Sequence, residues 1–237
     1  MVSVADVTDE ENFNFDVNAG ARLYLENVNG AIRIEAWDGR NVAVRAIKTA
    51  DTRDEVDRIE IKVDASADEI RIDTELPRSD RSFFNWGGST TGEVSYEVQV
   101  PGDMVLELIE TVNGSVRITG VSGDVTAETV NGDIEVTGLR GNSELETVNG
   151  SIEARFESFG SNQTGEFGTV NGSVEVILPA NADARVSADT VNGAIRNDFG
   201  LEVKKGLVSR ELEGTIGNGG GRLSFETVNG TIEIRSR

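Results

Sequence analysis

The chain of 237 residues carries 42 acidic against 22 basic side chains, a formal net charge of −20, and it contains neither histidine nor cysteine. That balance argues against nucleic acid or an anionic membrane surface as partner and suits a cationic partner or a solvated acidic coat. Without imidazoles and thiols, Ser-His-Asp and Cys-His nucleophile systems, the usual zinc sites and disulfide staples are excluded.

Taken in order, Asn12-Phe13-Asn14-Phe15-Asp16-Val17 alternates and predicts a strand that caps one end of the fold, within a cap region of about 12–20. Ala21–Leu25 and Ala31–Ala36 predict two strands, and Val42–Ala46 a third after the turn at Trp37-Asp38-Gly39. Residues 48–58 are polar and read as a loop or one short helix, with strands returning at Ile59–Val63, Glu69–Thr74 and Val94–Val100. An insertion loop at 77–92 separates the last two and carries Arg78, Arg81, Phe83, Phe84 and Trp86 in a chain with 5% aromatic residues. From Pro101 to Val176 short strands recur regularly, and the turn Gly217–Gly221 precedes a final pair ending at Ile234.

Beneath this order lies a repeat. Val-Asn-Gly occurs seven times, at Asn29, Asn113, Asn131, Asn149, Asn171, Asn192 and Asn229, with spacings by subtraction of 84, 18, 18, 22, 21 and 37 residues. Three residues after the asparagine stand Ile32, Val116, Ile134, Ile152, Val174, Ile195 and Ile232, and the following position is charged in every copy. Four before it stand Leu25, Ile109, Ala127, Leu145, Phe167, Ala188 and Phe225, followed by an acid in all but the copy with Gly168. Period-two flanks around a step near 20 predict an all-β fold: a single β-solenoid (parallel β-helix) of roughly 18–22-residue coils with Asn-Gly corners, one domain over 1–237. In this reading glycine supplies a positive φ at the corner and the asparagines stack as a hydrogen-bonded ladder. About four coils without the motif fill the 84-residue gap, and two fill the 37-residue gap.

Ala36-Trp37-Asp38-Gly39, Val100-Pro101, the recurrent Thr-Val-Asn-Gly-Ser-Val and the closing Gly214–Gly219 with Thr227–Ile232 resemble the putative-adhesin, or toastrack (DUF4097), family of bacterial β-strand repeat proteins. The resemblance covers roughly 12–236 and implies one β-helix in envelope proteins linked to adhesion or envelope-stress sensing. It transfers no catalytic residue, and the expected protein is not an enzyme and needs no cofactor.

Two surfaces stand out as candidates. The acid row Glu110, Glu128 and Glu146 stacks on consecutive coils and is either solvated or a weak cation site. The insertion, with Phe83, Phe84, Trp86, Arg78 and Arg81, is either a recognition loop or a cover over the solenoid. The expected partner is a protein or glycan at the cell surface, met by a monomer. Placement is periplasmic or extracellular, although the N-terminal stretch lacks the basic and apolar regions of a signal peptide. A self-assembling scaffold and, more remotely, a polysaccharide-active β-helix enzyme are the alternatives; no apolar run is long enough to span a membrane.

Overall fold

The computed structural model describes residues 6–77, 92–206 and 209–237. Seven strands end on the motif asparagines: β2 (Arg22–Asn29), β8 (Val105–Asn113), β10 (Val125–Asn131), β12 (Ser143–Asn149), β14 (Thr164–Asn171), β16 (Ala184–Asn192) and β20 (Gly221–Asn229). Beyond each glycine a second strand begins at the apolar residue three places on: β3 (Ile32–Trp37), β9 (Val116–Thr119), β11 (Ile134–Leu139), β13 (Ile152–Phe156), β15 (Val174–Leu178), β17 (Ile195–Asn197) and β21 (Ile232–Ser236). The first set lies in an 11-stranded sheet and the second in a 10-stranded sheet, so the chain passes from one sheet to the other at every Val-Asn-Gly.

Equivalent strands pair in parallel and in register, which places Asn113, Asn131, Asn149 and Asn171 side by side. Alternation then decides the faces. Ile109, Ala127, Leu145, Phe167 and Phe225 point inward and are buried, as are Val116, Ile134, Ile152, Val174 and Ile232 of the other sheet. Together they form one apolar cluster running from Ala21 to Ile234. Where large rings replace Ala127 and Leu145 they stack, with Phe167 and Phe225 centroids 5.3 Å apart and Phe156 edge-on to Phe167 at 6.2 Å.

The parallel region is flanked by antiparallel strands, so both sheets are mixed and open. β1 (Val7–Asp16), β4 (Asn41–Ala50) and β7 (Glu93–Pro101) extend the 10-stranded sheet beyond β3. β1 is its outermost strand, with Phe13 and Phe15 partly buried against the core. β6 (Glu69–Glu75) and β5 (Glu60–Ala65) end the 11-stranded sheet on the same side, and β19 (Arg210–Ile216) with β18 (Val203–Lys205) end it on the other. The polar stretch after β4 contains one short helix, α1 (Arg53–Val56), capped by Thr52, whose hydroxyl accepts from the Glu55 amide.

Two expectations about the order of the copies are corrected by the pairing. The 84-residue gap is not four intervening coils: Asn29 lies directly beside Asn113, and the chain between them leaves the stack to build the flanking strands. Nor do two coils fill the 37-residue gap: Asn229 lies directly beside Asn192, and β18 and β19 between them in sequence end the sheet beyond β16. β20 pairs with β14 on one side and β16 on the other, so the spatial order of asparagines is 29, 113, 131, 149, 171, 229, 192.

The role expected of the motif glycines is also corrected. Positive φ is found at Gly30 alone among them, where it is +115°. What the other six require is space: a Cβ on Gly132 would sit 2.0 Å from the Gly114 carbonyl oxygen, and one on Gly150 would sit 1.9 Å from that of Gly132. Each such oxygen accepts a bond from the buried threonine of the next copy, as from Thr129 Oγ1 to Gly114 O at 3.0 Å and from Thr147 to Gly132 at 3.0 Å. In the first copy Asn27 replaces the threonine and its amide reaches the Val94 carbonyl at 2.8 Å.

Candidate functional site

The asparagines form a continuous row of side-chain hydrogen bonds. Asn113 donates to Asn29 at 2.8 Å, Asn131 to Asn113 at 2.8 Å, Asn149 to Asn131 at 3.0 Å and Asn171 to Asn149 at 2.9 Å. Asn229 then donates to Asn171 at 2.8 Å and Asn192 to Asn229 at 3.0 Å. Each amide inside the row spends donor and acceptor on its neighbours, which makes this row a seam of the scaffold before it is a binding element.

Glu110, Glu128 and Glu146 do lie in register, and the row they belong to is much longer. Read across all strands of the sheet, one position per strand, it runs Lys204, Glu211, Asp189, Glu226, Gly168, Glu146, Glu128, Glu110, Glu26, Asp73, Lys62. At ~4.8 Å per strand it extends about 48 Å. Lysines close both ends and carboxylates fill every place between except Gly168. Among the described residues none of these eight carboxylates is in an ion pair: Lys62 pairs with Glu75 and Lys204 with Glu213 at 3.8 Å. The outward row of the other sheet is different, because its acids meet arginines in the pairs Arg117–Glu135 at 2.6 Å, Arg196–Glu233 at 2.7 Å and Arg235–Glu175 at 3.1 Å.

The electrostatics follow from that contrast. Partial burial raises the pKa of Glu128 above the usual carboxylate range, and the charges of Glu110, Glu146 and Glu144 add to the rise. Asp189 is raised in the same way by burial, then by Glu211, Glu226 and Glu213. Glu233 on the opposite sheet is lowered, by hydrogen bonds from Arg235 and Arg196. One outward row thus holds uncompensated negative charge and the other is largely neutralised. The carboxylates lie along a line, and no group of three acidic side chains among the described residues converges to hold a metal ion.

Two residues along each strand from the acid stands the valine of Val-Asn-Gly, also pointing outward. Val130, Val148, Val170, Val228 and Val191 are 38–45% exposed, and among the described residues they are all of the exposed large hydrophobics. They occupy five consecutive strands, β10, β12, β14, β20 and β16. Valines and acids together line a groove of about 660 Å³ that Ser209 borders at one end. The valine column escaped the sequence reading, although parity would have found it: Ala127 inward implies Glu128 outward, Thr129 inward and Val130 outward. Glu26, Asp189 and Glu226 hold the same motif position as the three glutamates, whereas the two lysines, Asp73 and Glu211 lie outside the motif and join the row only through the strand order. Arg78, Arg81, Phe83, Phe84 and Trp86 lie outside the described residues.

An all-β repeat protein with two mixed sheets and a sheet-to-sheet crossing at every copy of its motif is the class this geometry defines. The chain belongs to the Toastrack family (DUF4097), whose model matches residues 22–235. Among solved structures it is similar to a "putative cell adhesion protein" from Clostridium sporogenes, with 14% identity, a TM-score of 0.54, and coverage of 98% of this chain and 100% of that one. It is also similar to a "putative adhesin" from Bacteroides fragilis, with 15% identity, a TM-score of 0.46 and coverage of 95% and 97%. No curated protein matches the sequence. No helix among the described residues is long and apolar enough to cross a membrane.

Proposed function

We propose that the chain is a non-enzymatic binding module of the bacterial cell surface or envelope, a stack of β-solenoid coils turning at Asn-Gly. Its carboxylate-and-valine face bears the ligand, and it works in the periplasm or outside the cell. The single observation that carries this reading is the row of eight carboxylates that have no ion-pair partner among the described residues, beside five exposed valines, on a scaffold whose opposite outward row is charge-paired. Such a surface keeps an unfavourable arrangement of like charges that stability alone would not select, and binding residues are typically displayed on a rigid frame in this way. The cell-adhesion description of the Clostridium sporogenes structure points in the same direction. The test is attachment of the labelled protein to bacterial envelope preparations. Reversing Glu110, Glu128, Glu146 and Glu226 to lysine is expected to abolish attachment while the melting temperature stays the same or rises. Attachment that survives the reversal, or is never seen with the unaltered chain, overturns the reading.

A further inference from the structure

Resting on that surface-binding reading, we propose that the groove on the 11-stranded sheet receives a basic amphipathic helix lying across the strands. Its apolar stripe seats on Val130, Val148, Val170, Val228 and Val191, and its lysines or arginines lie over the carboxylate row.

Charge selects the partner first. A second copy of this chain would oppose its own acid row, and nucleic acid or an anionic lipid surface would meet a chain of net charge −20. A purely cationic chain, in turn, leaves unexplained why the exposed large hydrophobics among the described residues all stand in one column beside the acids.

Spacing then selects the secondary structure. Successive valines are one strand apart, about 4.8 Å. One face of a helix repeats about every 5.4 Å, so a helix lying along the column runs out of step by only about 0.6 Å at each strand, about 2.4 Å over four intervals. An extended peptide repeats one face every ~6.8 Å and runs out of step by about 2 Å at each strand. Across the four intervals from Val130 to Val191 it is displaced by about 8 Å, more than a whole strand. On four of the five valine strands an acid stands two residues from the valine, about 6.8 Å away, within the ~10 Å width of a helix; on β14 the place is taken by Gly168. On the other flank of the valines lie the asparagines, whose amides are engaged with one another. The fitting helix is therefore one-sided, with bases on one edge of its apolar stripe and small or neutral polar residues on the other.

The experiment measures fluorescence anisotropy of three synthetic 18-residue peptides of lysine, leucine and serine, identical in composition, against the full chain at low salt. One has leucines at helical spacing with lysines on one flank, one alternates lysine and leucine, and one is scrambled. The helical peptide is expected to bind about tenfold tighter than either control and to gain helical circular dichroism on binding. Val130→Thr, Val148→Thr and Val170→Thr together, which keep the β-branch, are expected to weaken it about fivefold. Glu110→Gln, Glu128→Gln and Glu146→Gln are expected to weaken it about tenfold and flatten its salt dependence. Glu135→Gln, Glu153→Gln and Glu175→Gln, which remove the same charge from the opposite sheet, leave it unchanged. Equal binding by the alternating peptide, unchanged binding by the valine variant, or equal loss in both glutamine variants overturns the proposal. If the helical peptide fails to bind while envelope attachment is still lost on charge reversal, the partner class is wrong and the surface stands. If attachment survives charge reversal, the surface itself is wrong.

Discussion

Replacing Asn131 by alanine probes the seam that holds the repeat copies in register. In the structure Asn131 donates to Asn113 at 2.8 Å and accepts from Asn149 at 3.0 Å, so the substitution removes two hydrogen bonds. Both are solvent-exposed, which puts each near the low end of the net range, about 0.5–1 kcal/mol. The expected cost is therefore about 1–2 kcal/mol, and for a chain of this size each kcal/mol lowers Tm by about 2–4 °C. Asn192 supplies an internal control. It stands at the end of the row and makes one such bond, to Asn229 at 3.0 Å, so Asn192→Ala is expected to cost half as much. Differential scanning calorimetry of the two variants reads both numbers. Equal losses, or no loss for Asn131→Ala, would refute the claim that the amides act as a row instead of as isolated polar side chains.

Gly132→Ala is expected to cost about 3 kcal/mol or more, because the added methyl meets backbone at 2.0 Å, whereas Gly102→Ala, with nothing within 4 Å, stays within about 0.5 kcal/mol in urea denaturation. Glu128→Gln is expected to stabilise the protein by about 0.5–1 kcal/mol at pH 7 and low salt, since Glu128 stands between two like charges. The folded-state pKa of Glu128 is raised, so the penalty of ionising it is complete above that pKa and absent below the unfolded value; the advantage of glutamine must fade as pH drops through that window. Asp183 has the opposite sign: the backbone amides of Gly220, Asn218 and Gly219 lower its pKa, so its contribution is present above the unfolded carboxylate pKa and lost as pH falls through the folded one. Thermal melts of Asp183→Asn against the unaltered chain are expected to differ at neutral pH and to converge in acid, and parallel curves across the whole range would exclude this account.

How much was legible in the sequence divides along a physical line. Period-two alternation marked the strands, and the constant offset between asparagine and the apolar residue three places on placed both boundaries of each crossing. Both are local properties, encoded where they act. The reason for glycine at Gly132 was not local: the obstacle is the carbonyl of Gly114 in another copy, while positive φ, the usual partner of Asn-Gly, was the wrong inference. The order of the copies was invisible for a related reason. β14, β16 and β20 present the same edges, so alternation gives their register without saying which lies beside which. An acid at this motif position was legible in six copies, but the row itself only for the three glutamates whose copies are adjacent both in sequence and in space, and its lysine ends belong to strands outside the motif.

The position of β20 between β14 and β16 bears on how the polypeptide is made. A ribosome delivers β16 and β17 before the strands on which they rest, so during synthesis their inward residues Val186 and Ala188 have only the β18–β19 hairpin to shelter against. The copies through β15 can assemble as they emerge, each on the one before. The remainder must wait until β20 and β21 slide between two surfaces already present, a step that closes parallel ladders on both sides at once. Such non-local closure is slow relative to local pairing. A released chain truncated just after β19 is expected to yield a protease-resistant fragment ending near β15 and a sensitive tail, even though that tail already contains its own copy of the motif.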